Sequence, residues 1–310
     1  MKKTKFLILR FSSIGDIVLT TPVIRCIKTQ YPDAEVHFAT KKQFKVLVEN
    51  SPYIDKYHLL EKSLNPFIKT LQSEGYDYVI DLHNNLRTSI IKLKLGKKSF
   101  SFDKLNFKKW LLVNLKINQM PDVHIVERYL KTVETLGIKN DLKGLDYFIP
   151  EKDKVPINEP YVAYAIGGQH FTKKLPISRI IEICQKIDKK IMLLGGKEDI
   201  PAAEEIEKSL GNKIINSCGK YNLNQSASLV HQAEYIITHD TGLMHIAAAL
   251  KKKVISIWGN TVPEFGMYPY LTEFSIIENK ELSCRPCSKI GYSKCPKEHF
   301  KCMNELNLDF

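Results

Sequence analysis

The run Thr238-His239-Asp240-Thr241-Gly242-Leu243-Met244-His245, set between the apolar Tyr235-Ile236-Ile237 and the small-residue stretch 246–250, decides the fold. It reads as the end of a buried strand, a tight turn and the start of a helix. Asp240 or Thr241 caps that helix, Gly242 lets the backbone approach a ligand closely, and the free N–H groups of the first turn point at whatever lies in front of them. A diphosphate suits such a site. The same strand-then-helix order recurs along the chain. Strands are predicted over 6–9, 35–39 and 76–81, with helices over 16–30 and 41–49. After Tyr147-Phe148-Ile149-Pro150 comes a polar stretch, 151–160, that carries Pro156 and Pro160 and reads as a linker. The rhythm then restarts with strands over 161–166, 190–194, 213–216, 235–238 and 254–258 and helices over 178–187 and 200–210. This alternation is that of parallel sheets in α/β proteins. It predicts two doubly wound, Rossmann-like domains, 1–150 and 151–310, facing each other across a cleft.

A chain of 310 residues with 44% apolar content builds ordinary packed cores, which excludes a disordered or fibrous protein. The start Met1-Lys2-Lys3-Thr4-Lys5 is basic, but the apolar run 6–9 that follows it ends at Arg10, too short for the core of a signal peptide. No window approaches a membrane span. With seven cysteines and no export signal, the expectation is a reducing cytoplasm without disulfides.

The net charge of +12 is unevenly placed: residues 1–150 hold 25 Lys and Arg against 15 Asp and Glu, and residues 151–310 hold 21 against 19. Within the first half, segment 87–116 carries nine Lys and Arg against Asp103 alone, with Phe100, Phe102, Phe107 and Trp110 interleaved. Such a segment is suited to an anionic membrane leaflet or a phosphorylated glycolipid, or to nucleic acid. A solvated basic helix has the same composition.

In open α/β sheets, ligands bind beyond the carboxyl ends of the strands, so each strand end is a place to look for chemistry. The first is Arg10-Phe11-Ser12-Ser13-Ile14-Gly15-Asp16, whose single glycine excludes both a dinucleotide fingerprint and a P-loop. On the motif alone, Asp16 is a carboxylate favourably placed near a helix N-terminus. The second is Ile166-Gly167-Gly168-Gln169-His170, followed by Lys173-Lys174-Leu175-Pro176, which brings mobile cations to a glycine loop. The third is Gly195-Gly196-Lys197-Glu198-Asp199, where an acid after a strand accepts a ribose hydroxyl hydrogen bond.

Taken together, Ser12-Ser13-Ile14-Gly15-Asp16 and Asp240-Thr241-Gly242-Leu243-Met244-His245-Ile246-Ala247 resemble glycosyltransferase family 9, the heptosyltransferases of lipopolysaccharide core assembly. Tyr76-Asp77-Tyr78-Val79-Ile80-Asp81-Leu82-His83-Asn84-Asn85-Leu86-Arg87, residues 124–130, Lys173-Lys174-Leu175-Pro176 and the C-terminal cysteines extend the resemblance over most of the chain. The resemblance implies a GT-B architecture with an acceptor-binding N-terminal domain and a donor-binding C-terminal domain. It also implies inverting transfer of a heptose from ADP-heptose to a lipopolysaccharide core or other surface glycan, with no cofactor and no metal.

By the same resemblance Asp16 is the catalytic carboxylate, the general base that takes the acceptor hydroxyl proton. Lys174 or Lys173 contacts the donor phosphates, and Asp240, Thr241, Gly242 and Leu243 form the turn that binds the diphosphate and sugar. Glu198 is matched to the nucleoside, Ser12 and Ser13 to the acceptor pocket, and Arg87 to an acceptor phosphate or carboxylate. His245, three residues beyond Gly242, faces either the donor or the core. The implied partners are the nucleotide-sugar donor, an anionic glycolipid acceptor and, through segment 87–116, the cytoplasmic face of the inner membrane. Nucleic acid is not expected.

Cys284, Cys287, Cys295 and Cys302 form a CxxC followed by two further cysteines, a composition open to a structural zinc site or to reduced thiols. Two other functions stay compatible with the residues: transfer from another nucleoside-diphosphate sugar, and noncatalytic binding of a nucleotide sugar.

Overall fold

Phe6, Leu7, Ile8 and Leu9 are all fully buried, as successive residues are only when helices cover both faces of a parallel sheet. They belong to β1 (Thr4–Leu9) in a computed structural model that describes residues 3–31 and 33–309. Met1 and Lys2 of the basic start lie outside the described residues. The chain continues through α1 (Ile14–Val18), α2 (Thr21–Gln30), β2 (Ala34–Lys41), β3 (Lys56–Leu60), α3 (Leu64–Ser73), β4 (Tyr78–Asp81), α4 (Leu86–Leu95) and β5 (Lys98–Ser101). Next comes α5 (Asn106–Trp110), then α6 (Ile125–Glu134). The first sheet is wholly parallel with strand order β3-β2-β1-β4-β5.

The second half gives β6 (Tyr161–Ala165), α7 (Ile177–Lys186), β7 (Lys190–Leu194), α8 (Ile200–Leu210), β8 (Ile214–Asn216) and α9 (Leu223–Gln232). It ends with β9 (Tyr235–His239), α10 (Gly242–Ala249), β10 (Lys253–Trp258), β11 (Phe274–Glu278) and α11 (Lys301–Asn304). These strands form a parallel sheet in the order β11-β10-β9-β6-β7-β8. Two doubly wound α/β units of the GT-B type are therefore present.

The two compact units are Met1–Lys104 with Val123–Phe148, and Leu105–Asp122 with Ile149–Phe310. The excursion of Leu105–Asp122 into the second unit departs from a simple division at residue 150. Its apolar side chains explain the placement: Leu112 packs with Val262 and Phe265, and the Lys116 ammonium donates to the Cys284 and Pro286 carbonyls. The expected linker is also partly built into the second unit, where the Asp153 carboxylate accepts from the Asn222 and Asn224 amides.

The single helix predicted over 16–30 is broken into α1 and α2. Pro22 lacks an amide proton, and the Thr20 and Thr21 hydroxyls turn back to the Ile17 and Val18 carbonyls at 2.6 and 2.8 Å. The helix predicted over 41–49 is a 3-10 turn, Lys42–Leu47. On α2, the Arg25 side chain is buried and grips the Asp141 carboxylate with two nitrogens at 2.7 and 2.8 Å, bonding also to Asp146 and the Gly144 carbonyl. This clamp holds the segment after α6 against α2.

Two outcomes test the clamp. Arg25→Ala strands two carboxylates in a mostly buried site and should destabilise the protein by about 3 kcal/mol in urea unfolding. The bonds from Arg25 hold the Asp141 carboxyl down at about 2, so its contribution to stability is full above the ordinary carboxylate range and is lost as pH falls toward 2. Unfolding midpoints between pH 5 and pH 2 should fall less steeply in Arg25→Ala than in the native protein.

Candidate active site

Each sheet has one switch point, where the strand order reverses and the loops after two neighbouring strands diverge. In the first sheet it lies between β1 and β4, and in the second between β6 and β9. Crevices open at such points, and the sequence-predicted residues collect at both.

At the first switch point the chain leaves β1 through Arg10 and enters α1 after Ser13. The Asp16 carboxylate accepts from the Ser13 backbone N–H at 3.0 Å and the Ser13 hydroxyl at 2.7 Å, closing the first turn. Its other oxygen lies 2.6 Å from the Arg10 guanidinium. Arg10 is itself buried and fixed from behind, donating to the Ser12 carbonyl at 2.8 Å, the Tyr129 hydroxyl at 3.0 Å and the Leu82 carbonyl. Partial burial works to raise the Asp16 pKa, but Arg10 and the two Ser13 donors outweigh it and hold the carboxyl down at about 2. Asp16 is therefore ionised throughout the neutral range, with its side chain one-fifth exposed.

The loop after β4 supplies the opposite wall. The Asp81 carboxylate is fully buried, accepts from the His83 and Asn84 amides at 3.0 and 2.7 Å, and meets the Lys92 ammonium at 2.9 Å. The Arg87 guanidinium sits over the Phe11 ring, 5.5 Å from its centroid. Ser12, Ser13, Asp16 and Arg87 are thus gathered around one strand end. His83 packs edge-on to Phe11, and burial together with the Arg10 charge lowers its pKa to about 4.

At the second switch point, α10 begins at Gly242 with Thr241 as its N-cap residue. The Asp240 carboxylate does not turn to solvent. It accepts from the Lys173 ammonium at 2.6 Å and the Thr261 hydroxyl at 2.8 Å. Lys174 lies 3.3 Å from Asp199, whose carboxylate also accepts from the Gly196 N–H at 2.9 Å. His239, fully buried, accepts the Leu175 N–H at 3.0 Å and pins the lysine loop to β9. Burial lowers the His239 pKa to about 4, keeping this ring neutral and able to accept.

Gly167 is required by the same packing: a Cβ there would lie 2.4 Å from an Asp199 oxygen. Gly168 approaches both the Lys174 stem and Thr241, so the glycine loop, the lysines and the turn are adjacent. Glu198 is exposed and folds over Gly196. Leu243 packs partly against the core. His245 is buried, with 2% exposure, among the packed residues of α10.

The C-terminal cysteines are free thiols in a tail that buttresses this turn. Arg285, buried beside them, donates to the Gly259, Thr261 and Asn279 carbonyls and pairs with Glu278 at 3.0 Å. The tail thereby holds the loop whose Thr261 holds Asp240. No three of the Cys284, Cys287, Cys295 and Cys302 thiols lie within 4.8 Å of one another; among the described residues only His37, His58 and Glu74 form such a group. Burial and the neighbouring thiols raise Cys287 to about 11 and Cys302 to about 12.

Segment 87–116 is not one basic helix but the body of α4, the edge strand β5, α5 and a terminal π turn, Leu111–Leu115. Part of its charge is committed within the fold, with Lys92 on Asp81, Lys104 on the Asn84 carbonyl and Lys116 on backbone carbonyls.

The profile of glycosyltransferase family 9 (heptosyltransferase) matches residues 65–297. The chain belongs to this family. As a glycosyltransferase it is 27% identical over 288 residues to lipopolysaccharide heptosyltransferase 1 of Campylobacter coli, covering 83% of this chain and 84% of that one. A family 9 glycosyltransferase of Veillonella parvula superposes with a TM-score of 0.75 at 20% identity, over 89% of this chain and 86% of its own. The ADP-heptose lps heptosyltransferase II of E. coli gives 0.70 at 19% identity, over 97% and 98%.

Arg10, Asp199 and Thr261 are among the site residues that sequence reading passes over. Arg10 was visible only as the end of a strand, and Asp199 only as the neighbour of Glu198. Because Arg10 depresses Asp16, Arg10→Met should raise the Asp16 carboxyl from about 2 toward the ordinary value near 4. Carboxyl-carbon NMR titration reads this directly, and an unmoved Asp16 resonance would show that Arg10 does not set its charge.

Proposed function

We propose that this glycosyltransferase transfers heptose from ADP-heptose to a hydroxyl of a lipopolysaccharide core acceptor, with inversion at the anomeric carbon. The observation that carries the reading is the pairing of lysines beside the start of α10: Lys173 with Asp240, and Lys174, whose stem and Thr241 both approach Gly168, with Asp199. Backbone N–H groups and two ammonium groups then meet the diphosphate, and both strengthen their hold as negative charge develops on departing ADP. Asp240 serves by orienting Lys173, since its own charge would repel a phosphate.

Asp16 is the base in this reading. As the acceptor oxygen bonds to the anomeric carbon and the bond from that carbon to the diphosphate oxygen breaks, the hydroxyl proton passes to the Asp16 carboxylate. A pKa near 2 makes Asp16 a weak base. The compensation is that it is always ionised, and the attacking hydroxyl becomes strongly acidic only as its oxygen bonds to carbon. Ser12, Ser13 and Arg87 border the acceptor, with Arg87 available to an acidic substituent. Glu198, exposed after β7, is the carboxylate this reading gives to the nucleoside.

Asp16→Asn should lower transfer by roughly 10²–10⁴-fold while leaving ADP affinity unchanged by calorimetry. Retention of the native rate would remove Asp16 from the mechanism. In a panel of nucleoside-diphosphate sugars, turnover confined to UDP- or GDP-sugars would overturn the donor assignment and leave the reaction class intact.

The enzyme works at the cytoplasmic face of the inner membrane in this reading. No helix among the described residues is long and apolar enough to cross a membrane. Support for surface contact comes from α5 and the turn after it, where Phe107 and Trp110 stack on each other, 70% and 46% exposed, beside Lys108 and the exposed Leu115 and Ile117. Aromatic rings at headgroup level and nearby lysines, each worth about 1 kcal/mol at an anionic surface, give reversible attachment. Sedimentation with phosphatidylglycerol vesicles should be lost in Phe107→Ser/Trp110→Ser and in high salt, and equal sedimentation of the variant would refute this surface.

A further inference from the structure

A second cluster lies in the first unit, toward the amino-terminal end of its sheet and away from the loop that carries Arg10 and Asp16. His37 on β2 and His58 on β3 are both buried and face each other, with His37 Nδ1 3.2 Å from His58 Nε2. The Tyr76 hydroxyl approaches both nitrogens, at 3.0 and 2.9 Å. The Glu74 carboxylate lies 3.9 Å from His37 Nδ1 and 3.8 Å from His58 Nε2. Outside this group, Glu35 lies 2.8 Å from His37 Nε2.

The Glu35 contact settles the tautomer of His37. A carboxylate accepts only, so Nε2 carries the proton and the Nδ1 lone pair is aimed at the centre of the cluster. That leaves the Tyr76 O–H and the His58 ring at most two protons for three close contacts, so one contact always lacks a hydrogen. A cation between the nitrogens satisfies both at once. Neutral imidazole is the form that binds metal, and the Glu35 contact leaves the His37 Nδ1 lone pair facing His58.

We propose that His37 Nδ1, His58 Nε2 and the Glu74 carboxylate are the ligands of a zinc ion that ties β2, β3 and the turn before β4 together. Tetrahedral zinc with bonds of about 2.0–2.1 Å sets its ligand atoms about 3.3 Å apart, and the two imidazole nitrogens already stand at 3.2 Å. Glu74 closes by about 0.5 Å to reach the same spacing, releasing the half-exposed Lys56 ammonium that it now pairs with. Glu35 behind His37 completes a carboxylate–histidine–metal relay, the arrangement that fixes ring orientation and strengthens the ligand. The fourth position faces the Tyr76 hydroxyl. A cavity of about 350 Å³ has His58 in its wall together with Glu61, Ser63 and Phe67. Lys5 and Lys56 offset the two carboxylates in the metal-free state.

The test is a cobalt(II) titration of the chelator-treated full chain, followed by visible absorption and then by displacement with zinc. One equivalent should bind with the intense bands of a tetrahedral nitrogen–oxygen site and without a thiolate-to-cobalt charge-transfer band. His58→Gln and Glu74→Gln should each abolish that signal. Glu35→Gln keeps all three ligands and replaces a part-exposed side chain, so it preserves the fold if the histidine variants do not. It should weaken binding by about tenfold or more. No cobalt binding, binding only with a thiolate band, or binding unchanged in His58→Gln and Glu35→Gln would each overturn the proposal.

Discussion

Pairing of opposite charges at the carboxyl ends of parallel strands is the constraint on which the structure of both sites depends. A parallel sheet brings all its strand ends to one edge, where side chains leave the core but are not yet in water. A charge left alone there is costly, so each finds a partner. Arg10 meets Asp16, Lys92 meets Asp81, Lys173 meets Asp240 and Lys174 meets Asp199. Arg10–Asp16 and Asp81–Lys92 tie a strand end to the helix that follows it, whereas Lys173–Asp240 and Lys174–Asp199 tie together the loops after different strands.

The pairs also set the chemistry. Arg10 makes Asp16 a permanently ionised carboxylate, at the cost of basicity. Asp240 pairs with Lys173 and Asp199 with Lys174, so both lysine side chains have fixed partners. The tail joins the same network, since Arg285 grips the loop that presents Thr261 to Asp240.

Much of this was legible along the chain. Phe6-Leu7-Ile8-Leu9 and Tyr235-Ile236-Ile237 could only be buried strands, and Thr241-Gly242 could only be a turn into a helix, because local sterics and hydrophobic runs dictate both. Other elements escaped for equally local reasons. β5 (Lys98–Ser101) is an exposed edge strand with two serines and a lysine, and so lacks an apolar face. β3 (Lys56–Leu60) places a lysine, a tyrosine and a histidine before its leucines. Pro22, present in the sequence all along, splits a helix whose apolar period runs straight through it.

By itself, then, the sequence determined that two parallel α/β units form, where most of their strands end, and where a turn leads from β9 into α10. These follow from residue-by-residue burial and backbone freedom. Strand order is different, because it depends on which helix packs on which face across tens of residues. That order puts β4 beside β1 and β9 beside β6, and so decided that Arg87 would lie over Phe11 and that Lys173 would answer to Asp240. It also set His37 against His58 across neighbouring strands, a contact that no spacing along the chain records.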